Sequence, residues 1–204
     1  VPGRYRLAFD PDDRRTCRDG MFEVAGLVAT DAGMQVLWNP ERFASVVDYD
    51  SWEDLLLEDK DILQHVLAGM LVPINLGDSA FQFVVRVGDS EQIADLTERE
   101  RARLLVTSDP YLLTSAGVLH LSGLEGVSAN PNGNVLHVAA SAGRYAVTVN
   151  LIDWESEPGS RTPTGDPAPH AMPDVVLLLN RPTWPEPAFR QSLQTLPPPP
   201  EAAA

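Results

Sequence analysis

Proline placement sets the first limit on what this chain can fold into. Twelve of its eighteen prolines lie between Pro158 and Pro200. Each lacks a backbone donor and fixes φ, so long stretches of that region can be neither helix nor central strand. Pattern therefore divides the chain into a β-rich globular body over 1–157, a Pro-rich loop over 158–173, and a segment over 174–190. The last opens with Asp174-Val175-Val176-Leu177-Leu178-Leu179-Asn180, apolar enough to be a buried strand returning to the core. Residues 191–204, with Pro197 to Pro200 before Glu201 and three alanines, read as an extended or disordered end.

Within the body the hydrophobic period is mostly two. Tyr5, Leu7 and Phe9 recur at alternate positions, as do Met34, Val36 and Trp38, and Phe81, Phe83 and Val85 alternate against Gln82, Val84 and Arg86. Val118–Leu121, Val135–Val138 and Tyr145–Ile152 add further strand-like runs. Turn chemistry separates them at Asp31-Ala-Gly33, Gly77-Asp78, Gly88-Asp89 and Asn130-Pro-Asn-Gly133-Asn. The expected fold is mainly β, of the α+β class: an antiparallel β-sandwich or partly open barrel. One clear helix is expected near 51–68, with Ser51 as its N-cap and Trp52, Leu55, Leu56, Ile62, Leu63, Val66 and Leu67 on its apolar face. A short helix is expected near 97–105, where Thr97 and Glu100 spell a capping box.

Charge narrows the function. Against 15 basic residues stand 29 acidic ones, a formal net charge of −14. Such a chain repels phosphate backbones and anionic membranes, so direct nucleic-acid binding and membrane association are not expected. No apolar run reaches the roughly 18 residues of a membrane span. The opening Val1-Pro2-Gly3-Arg4 lacks the apolar core of a secretory signal, and a cytoplasmic location is expected. Lys60 is the sole lysine among fourteen arginines, a bias that fits a GC-rich bacterial genome.

The acids are unevenly spread. Seven of the 29 fall within the fourteen residues from Asp48 to Asp61. Asp48-x-Asp50 does not open an EF-hand, because Trp52 and Glu53 stand where a third oxygen ligand and a glycine are needed. The cluster reads instead as the acidic surface of the first helix or as a docking face for a basic partner. Asp48, Asp50, Glu53, Asp54 and Glu58 are the candidate capture residues there, joined by Asp153 and Glu155 in Asp153-Trp154-Glu155-Ser156-Glu157, with Trp52 and Trp154 as aromatic anchors.

His120 and His137 alternate with apolar neighbours in strands joined by the Asn-rich turn, so they are candidates to meet across a hairpin and begin a zinc or iron site. Glu125 or Asp153 would have to complete it. Cys17, the only cysteine, excludes an intramolecular disulfide and lies among Arg14, Arg15 and Arg18 without a nearby His. There is no Gly-x-Ser-x-Gly elbow and no phosphate-binding Gly-rich loop, and no cofactor is expected.

From Leu105 to Asp153 the chain runs Val106-Thr-Ser-Asp-Pro110-Tyr-Leu-Leu, then Gly117-Val-Leu-His-Leu-Ser-Gly123, then Ala142-Gly-Arg-Tyr145-Ala-Val-Thr-Val149. This cadence resembles the C-terminal half of the bacterial competence nuclease-inhibitor family and related small β-rich immunity-type proteins. The resemblance implies a non-catalytic inhibitor whose partner is a nuclease or toxin. Taken with the charge, the leading expectation is an acidic binding protein that captures a basic partner protein. Two readings stand beside it: a metal-dependent β-fold enzyme using His120 and His137, and a structural or assembly subunit tethered by the Pro-rich tail.

Overall fold

The computed structural model describes residues 22–131 and 133–197. The expected strand at Tyr5–Phe9 and Cys17 lie outside the described residues. The chain order is β1 (Phe22–Thr30), β2 (Gln35–Trp38), α1 (Tyr49–Leu56), α2 (Asp59–Leu67), β3 (Leu71–Ile74), β4 (Ser79–Val87), α3 (Glu98–Arg101), β5 (Leu104–Thr107), β6 (Tyr111–Gly123), β7 (Leu136–Ile152) and β8 (Val175–Asn180). The strands form one 8-stranded sheet in the order β1-β4-β8-β7-β6-β2-β3, with β5 added to β7 off that path.

The mainly β, α+β class is the one observed, and the sheet stays open rather than closing into a barrel. It is mixed rather than wholly antiparallel: β4 and β8 run parallel, from Phe83↔Val175 to Val87↔Leu179, while the other pairings are antiparallel. The long β6–β7 hairpin supports both halves. One end of it carries β2 at Leu121↔Leu37, and β7 carries β8 at Val149↔Leu177. Between these halves the register shifts from Ser115↔Gly143 to Gly117↔Ala140. Ser115 Oγ fills the gap, donating to the Ala140 carbonyl at 2.7 Å and accepting from the Gly117 amide at 3.0 Å. Such a bulge bends a strand and increases its twist. Beyond it β1 lies against β6 and β7 as well as β4, so the sheet folds over on itself.

This curl gives two cores. Val28, Val36, Phe83, Val85, Leu119, Leu121, Val138, Val147, Val149, Leu177 and Leu179 belong to the main one. The opposite face of β4, β7 and β8 is covered as well, by Ala94, Leu96, Trp154 and Met172 packed with Val176 and Leu178. Every residue from Val175 to Leu179 is therefore buried, odd positions in one core and even positions in the other, which is why the run carries no polar alternation. Arg86, on the face of β4 that the alternation leaves polar, is buried under the same covering segment.

The single helix expected near 51–68 is two helices. Asp48, not Ser51, caps α1: its Oδ1 accepts from the Ser51 amide at 2.9 Å, and Ser51 Oγ accepts from the Asp48 amide at 3.1 Å. Glu58 is extended (φ −96°, ψ 134°) and α2 begins after it. An unbroken helix would set Asp54 and Glu58 one turn apart, with like charges repelling. Restarting places Asp59 and Asp61 in a first turn, where the helix dipole favours them. α3 forms with the expected box, Thr97 Oγ1 accepting from the Glu100 amide and Glu100 reaching back to the Thr97 amide. Among the described residues, no helix is long and apolar enough to cross a membrane.

After β8 the chain runs as an extended strap to Pro197. Tyr111 donates its hydroxyl to the Ser192 carbonyl at 2.9 Å, and the Arg190 amide donates to the Pro110 carbonyl at 2.8 Å. Thr195 is fully buried against β3, an edge strand that holds Pro73. Its Oγ1 accepts from the Asn75 amide at 2.7 Å and donates to the Pro73 carbonyl at 3.0 Å, so the strap satisfies polar groups that the sheet leaves open. Thr195→Val keeps the shape and deletes the hydroxyl, stranding a buried donor and an acceptor. It is expected to cost about 1–3 kcal/mol in urea unfolding with an unchanged m-value. A loss within about 0.5 kcal/mol, as for an ordinary surface site, would mean the strap does not dock there.

Candidate functional site

α1 presents its acids outward because its apolar side is used elsewhere. Leu56 is buried, and Trp52 and Leu55 pack on the main core. Trp52 is fixed by its Nε1, which donates to the Leu124 carbonyl at 3.1 Å. Asp48, Asp50, Glu53, Asp54 and Glu58 are all exposed. The Ser51 hydroxyl and amide hold the Asp48 carboxyl below its ordinary range. Among the described residues none of these five makes an ion pair. By contrast Glu23, Asp95, Glu100, Asp109, Glu155, Glu157 and Glu186 are each within salt-bridge reach of an arginine.

Two apolar side chains stand out among the exposed acids. Val47 is 69% exposed and Tyr49 is 66% exposed. The Tyr49 ring stacks on Trp52, centroids 6.1 Å apart and planes 21° apart. Trp52, expected as an anchor, is thus a half-buried support, and Tyr49 is the ring on display. Tyr49 carries no signal in sequence beyond its place between two aspartates.

The second acidic group lies elsewhere. Trp52 is tied to Leu124, just after the C-terminal end of β6, which pairs with the start of β7 at Leu121↔Leu136. Asp153 follows the other end of β7, a strand of 17 residues. At about 3.3 Å per residue that separates the groups by tens of ångströms along the hairpin. Asp153 Oδ1 accepts from the Ser156 amide, and Glu155 pairs with Arg161 at 2.5 Å. Trp154 is withdrawn into the second core. Its Nε1 donates to Asp174 Oδ1 at 2.6 Å and Arg161 lies over its ring at 5.6 Å. These three residues are spent on the fold, and the structure does not bring them to the α1 face.

His120 and His137 are direct cross-strand partners with ring centroids 4.5 Å apart. His120 is 8% exposed, packed edge-on to Trp38 at 4.9 Å, and its Nδ1 is buried without a partner among the described residues. Burial and then the nearby His137 push the His120 pKa down to about 4. Among the described residues no group of three or more His, Cys, Asp or Glu is arranged to hold a metal. Glu125 turns to β1, accepting from Thr30 Oγ1 at 2.8 Å and the Asp31 amide at 3.3 Å, and Asp153 lies at the far end of β7. Neither completes a site with the two histidines.

No family model matches the chain, and no curated protein matches it. Among solved structures, a protein titled crocagin biosynthetic gene J superposes with a TM-score of 0.51 at 14% identity, covering 78% of this chain and 95% of that one. ComJ of Bacillus subtilis, titled an inhibitor of the DNA-degrading activity of NucA, superposes with a TM-score of 0.39 at 9% identity, covering 77% of this chain and 94% of ComJ. The first of these resemblances is one of fold alone.

Proposed function

We propose that the chain is a non-catalytic binding protein, of the inhibitor or immunity type, that captures a basic partner protein on the face of α1. One observation carries the reading. Five exposed carboxylates within eleven residues lie without ion-pair partners among the described residues, around the exposed Tyr49 and Val47, while seven acids elsewhere are paired with arginines. Uncompensated charge of one sign steers an oppositely charged partner and raises its association rate. An aromatic ring at the centre then supplies apolar area that charge alone does not. A basic nuclease or toxin fits both requirements, and inhibition follows from covering its cationic surface. Asp153, Trp154 and Glu155 have no part in this version of the site.

The test is association kinetics with a basic nuclease. Binding is expected to slow by about 100-fold when Asp50, Glu53 and Asp54 are changed together to Lys, and to weaken as salt rises. Tyr49→Ala is expected to act on dissociation instead, speeding it about 10-fold. Tight binding that is indifferent to both salt and the triple reversal would sink the proposal.

A further inference from the structure

A cavity of about 330 Å³ opens at the bend of the β6–β7 hairpin, walled by Phe22, Val87, Asp89, Ser141, Tyr145 and Arg181 among others. It shares no residue with the α1 face and does not rest on the function proposed for it. Its size is at the small end of the range for ligand pockets, about 300–1,000 Å³.

The two charged groups in its wall are each held in place, and neither is neutralised by another described residue. Arg181 stacks its guanidinium on Tyr145, 4.3 Å from the ring centroid. It reaches that seat only because residue 143 is glycine. There φ is +137°, and a Cβ would stand 2.2 Å from Arg181 Nη1. Three carbonyls accept from it at long range, those of Ser141 (3.3 Å), Ala142 (3.2 Å) and Arg144 (3.4 Å). Its Nε–H donates to nothing among the described residues. In the same cavity wall Asp89 Oδ1 accepts from the amides of Glu91 and Gln92 at 2.7 and 2.8 Å. Those donors hold the carboxyl below its ordinary range and leave its second oxygen free among the described residues. Arg181 and Asp89 form no ion pair with each other or with any other described residue.

A simple anion entering here would face Asp89, and a simple cation would face Arg181. A molecule carrying both charges satisfies both, and with no net charge it is not repelled by a chain of net charge −14. Phe22, Val87 and Tyr145 add apolar wall to the same cavity. We propose that this cavity binds a small zwitterion with an apolar side chain, a free amino acid or a short peptide, its carboxylate on Arg181 and its ammonium on Asp89. The guanidinium offers the carboxylate its Nε–H, in a charge-assisted hydrogen bond.

Amide NMR titrations with L-leucine, Leu-Leu, N-acetyl-leucine and leucinamide test this. Saturable shifts are expected at Ser90, Ser141 and Arg181 with leucine or Leu-Leu. N-acetyl-leucine, without the ammonium, and leucinamide, without the carboxylate, are expected to bind at least about 10-fold more weakly. Asp89→Asn keeps an oxygen for the two amides and so preserves the turn. It should erase the preference for leucine over N-acetyl-leucine. Arg181→Lys should weaken every carboxylate-bearing probe; because it touches the hairpin bend, Asp89→Asn is the variant that decides. Saturation by leucine assigns a free amino acid, and saturation by Leu-Leu alone assigns a peptide. No saturable shift with either up to about 10 mM, or equal binding of N-acetyl-leucine, overturns the proposal.

Discussion

Replacing Arg86 with Met is expected to cost this fold about 3–5 kcal/mol, more than any other single change considered. Arg86 stands opposite Glu23 in the β1–β4 register and donates to it through Nε at 2.6 Å. Its other two nitrogens grip Glu100 in a two-point contact at 2.7 and 2.9 Å, and Nη1 also meets the Asp95 carbonyl at 3.3 Å. The Arg86 and Glu100 side chains are 7% and 5% exposed. Burial by itself would lower the arginine pKa, but hydrogen bonds and charge from Glu100, then Glu23, outweigh it and hold it above its ordinary value. Burial likewise pushes Glu100 up, and its bonds to Arg86 and Thr97 bring it below the usual range.

The cation therefore joins β1 and β4 to the cap of α3. Without it Glu100 is a buried carboxylate facing another carboxylate. The Met variant should recover part of its loss as pH falls toward 5, because Glu100 is then free to take up a proton. Arg86→Met combined with Glu100→Gln should lose clearly less than the two single losses summed. Urea unfolding of the four proteins, each at pH 7.5 and 5.0, gives the cycle. A loss below about 1 kcal/mol for Arg86→Met would show that the triad behaves as a surface pair.

How much of this was legible in the sequence follows from how local each feature is. Alternation located β4 and the two halves of the β6–β7 hairpin, because one buried face imposes period two whatever the partner; Met34, Val36 and Trp38 marked β2 as well, although Gln35 and Leu37 between them are also buried. Arg86 broke that logic. It occupies a position that alternation leaves polar, yet the 94–96 segment covers it, and nothing within β4 records that a second layer will arrive. The same covering turned Val175–Leu179 into an unbroken apolar run, so β8 was visible as buried while its parallel pairing with β4 was not. Parallel pairing depends on where the 153–174 crossover takes the chain, and composition does not encode that route.

The candidate site divides in the same way. Asp48 to Glu58 lie together in space because they lie together in the chain. Grouping them with Asp153 and Glu155 required knowing which end of a 17-residue strand each occupies. Ser51 was recognisable as a capping residue, but the box is reciprocal, and only the backbone shows that Asp48 is its outer member. Tyr49 is not legible as a surface ring, since one tyrosine between aspartates looks alike buried or exposed.

Acidification should loosen the fold from His120 before the carboxylates titrate. Its pKa is pushed down from 6.5 to about 4 by burial first and by His137 second. A base with a depressed folded pKa is held neutral in the native state, so the unfolded chain takes up the proton first. The associated stability is complete above pH 6.5 and is lost as pH falls toward 4. Burial shifts His65 in the same direction, against the Leu55 carbonyl and Asp61, which favour its charge. Glu100, Asp48, Asp89 and Glu157 are held below their ordinary values, so they add their losses only at lower pH. At about 1.4 kcal/mol per unit, His120 accounts for about 2 kcal/mol between pH 7.5 and 5.0.

The rings make this loss more than local. His137, His120, Trp38, Phe43 and His65 succeed one another at 4.5, 4.9, 5.7 and 4.9 Å between centroids, from the hairpin to α2. A charge forced onto His120 enters this stack on a ring whose Nδ1 has no partner among the described residues, and the elements sharing the stack must give way together. Urea unfolding of the wild type should lose about 2 kcal/mol from pH 7.5 to 5.0, and His120→Leu should lose about half that or less. Amide exchange in α2 should quicken in acid along with exchange in β6. An imidazole proton of His120 that titrates near 6.5 would remove the cause, and a His120→Leu variant as acid-sensitive as the wild type would remove the effect.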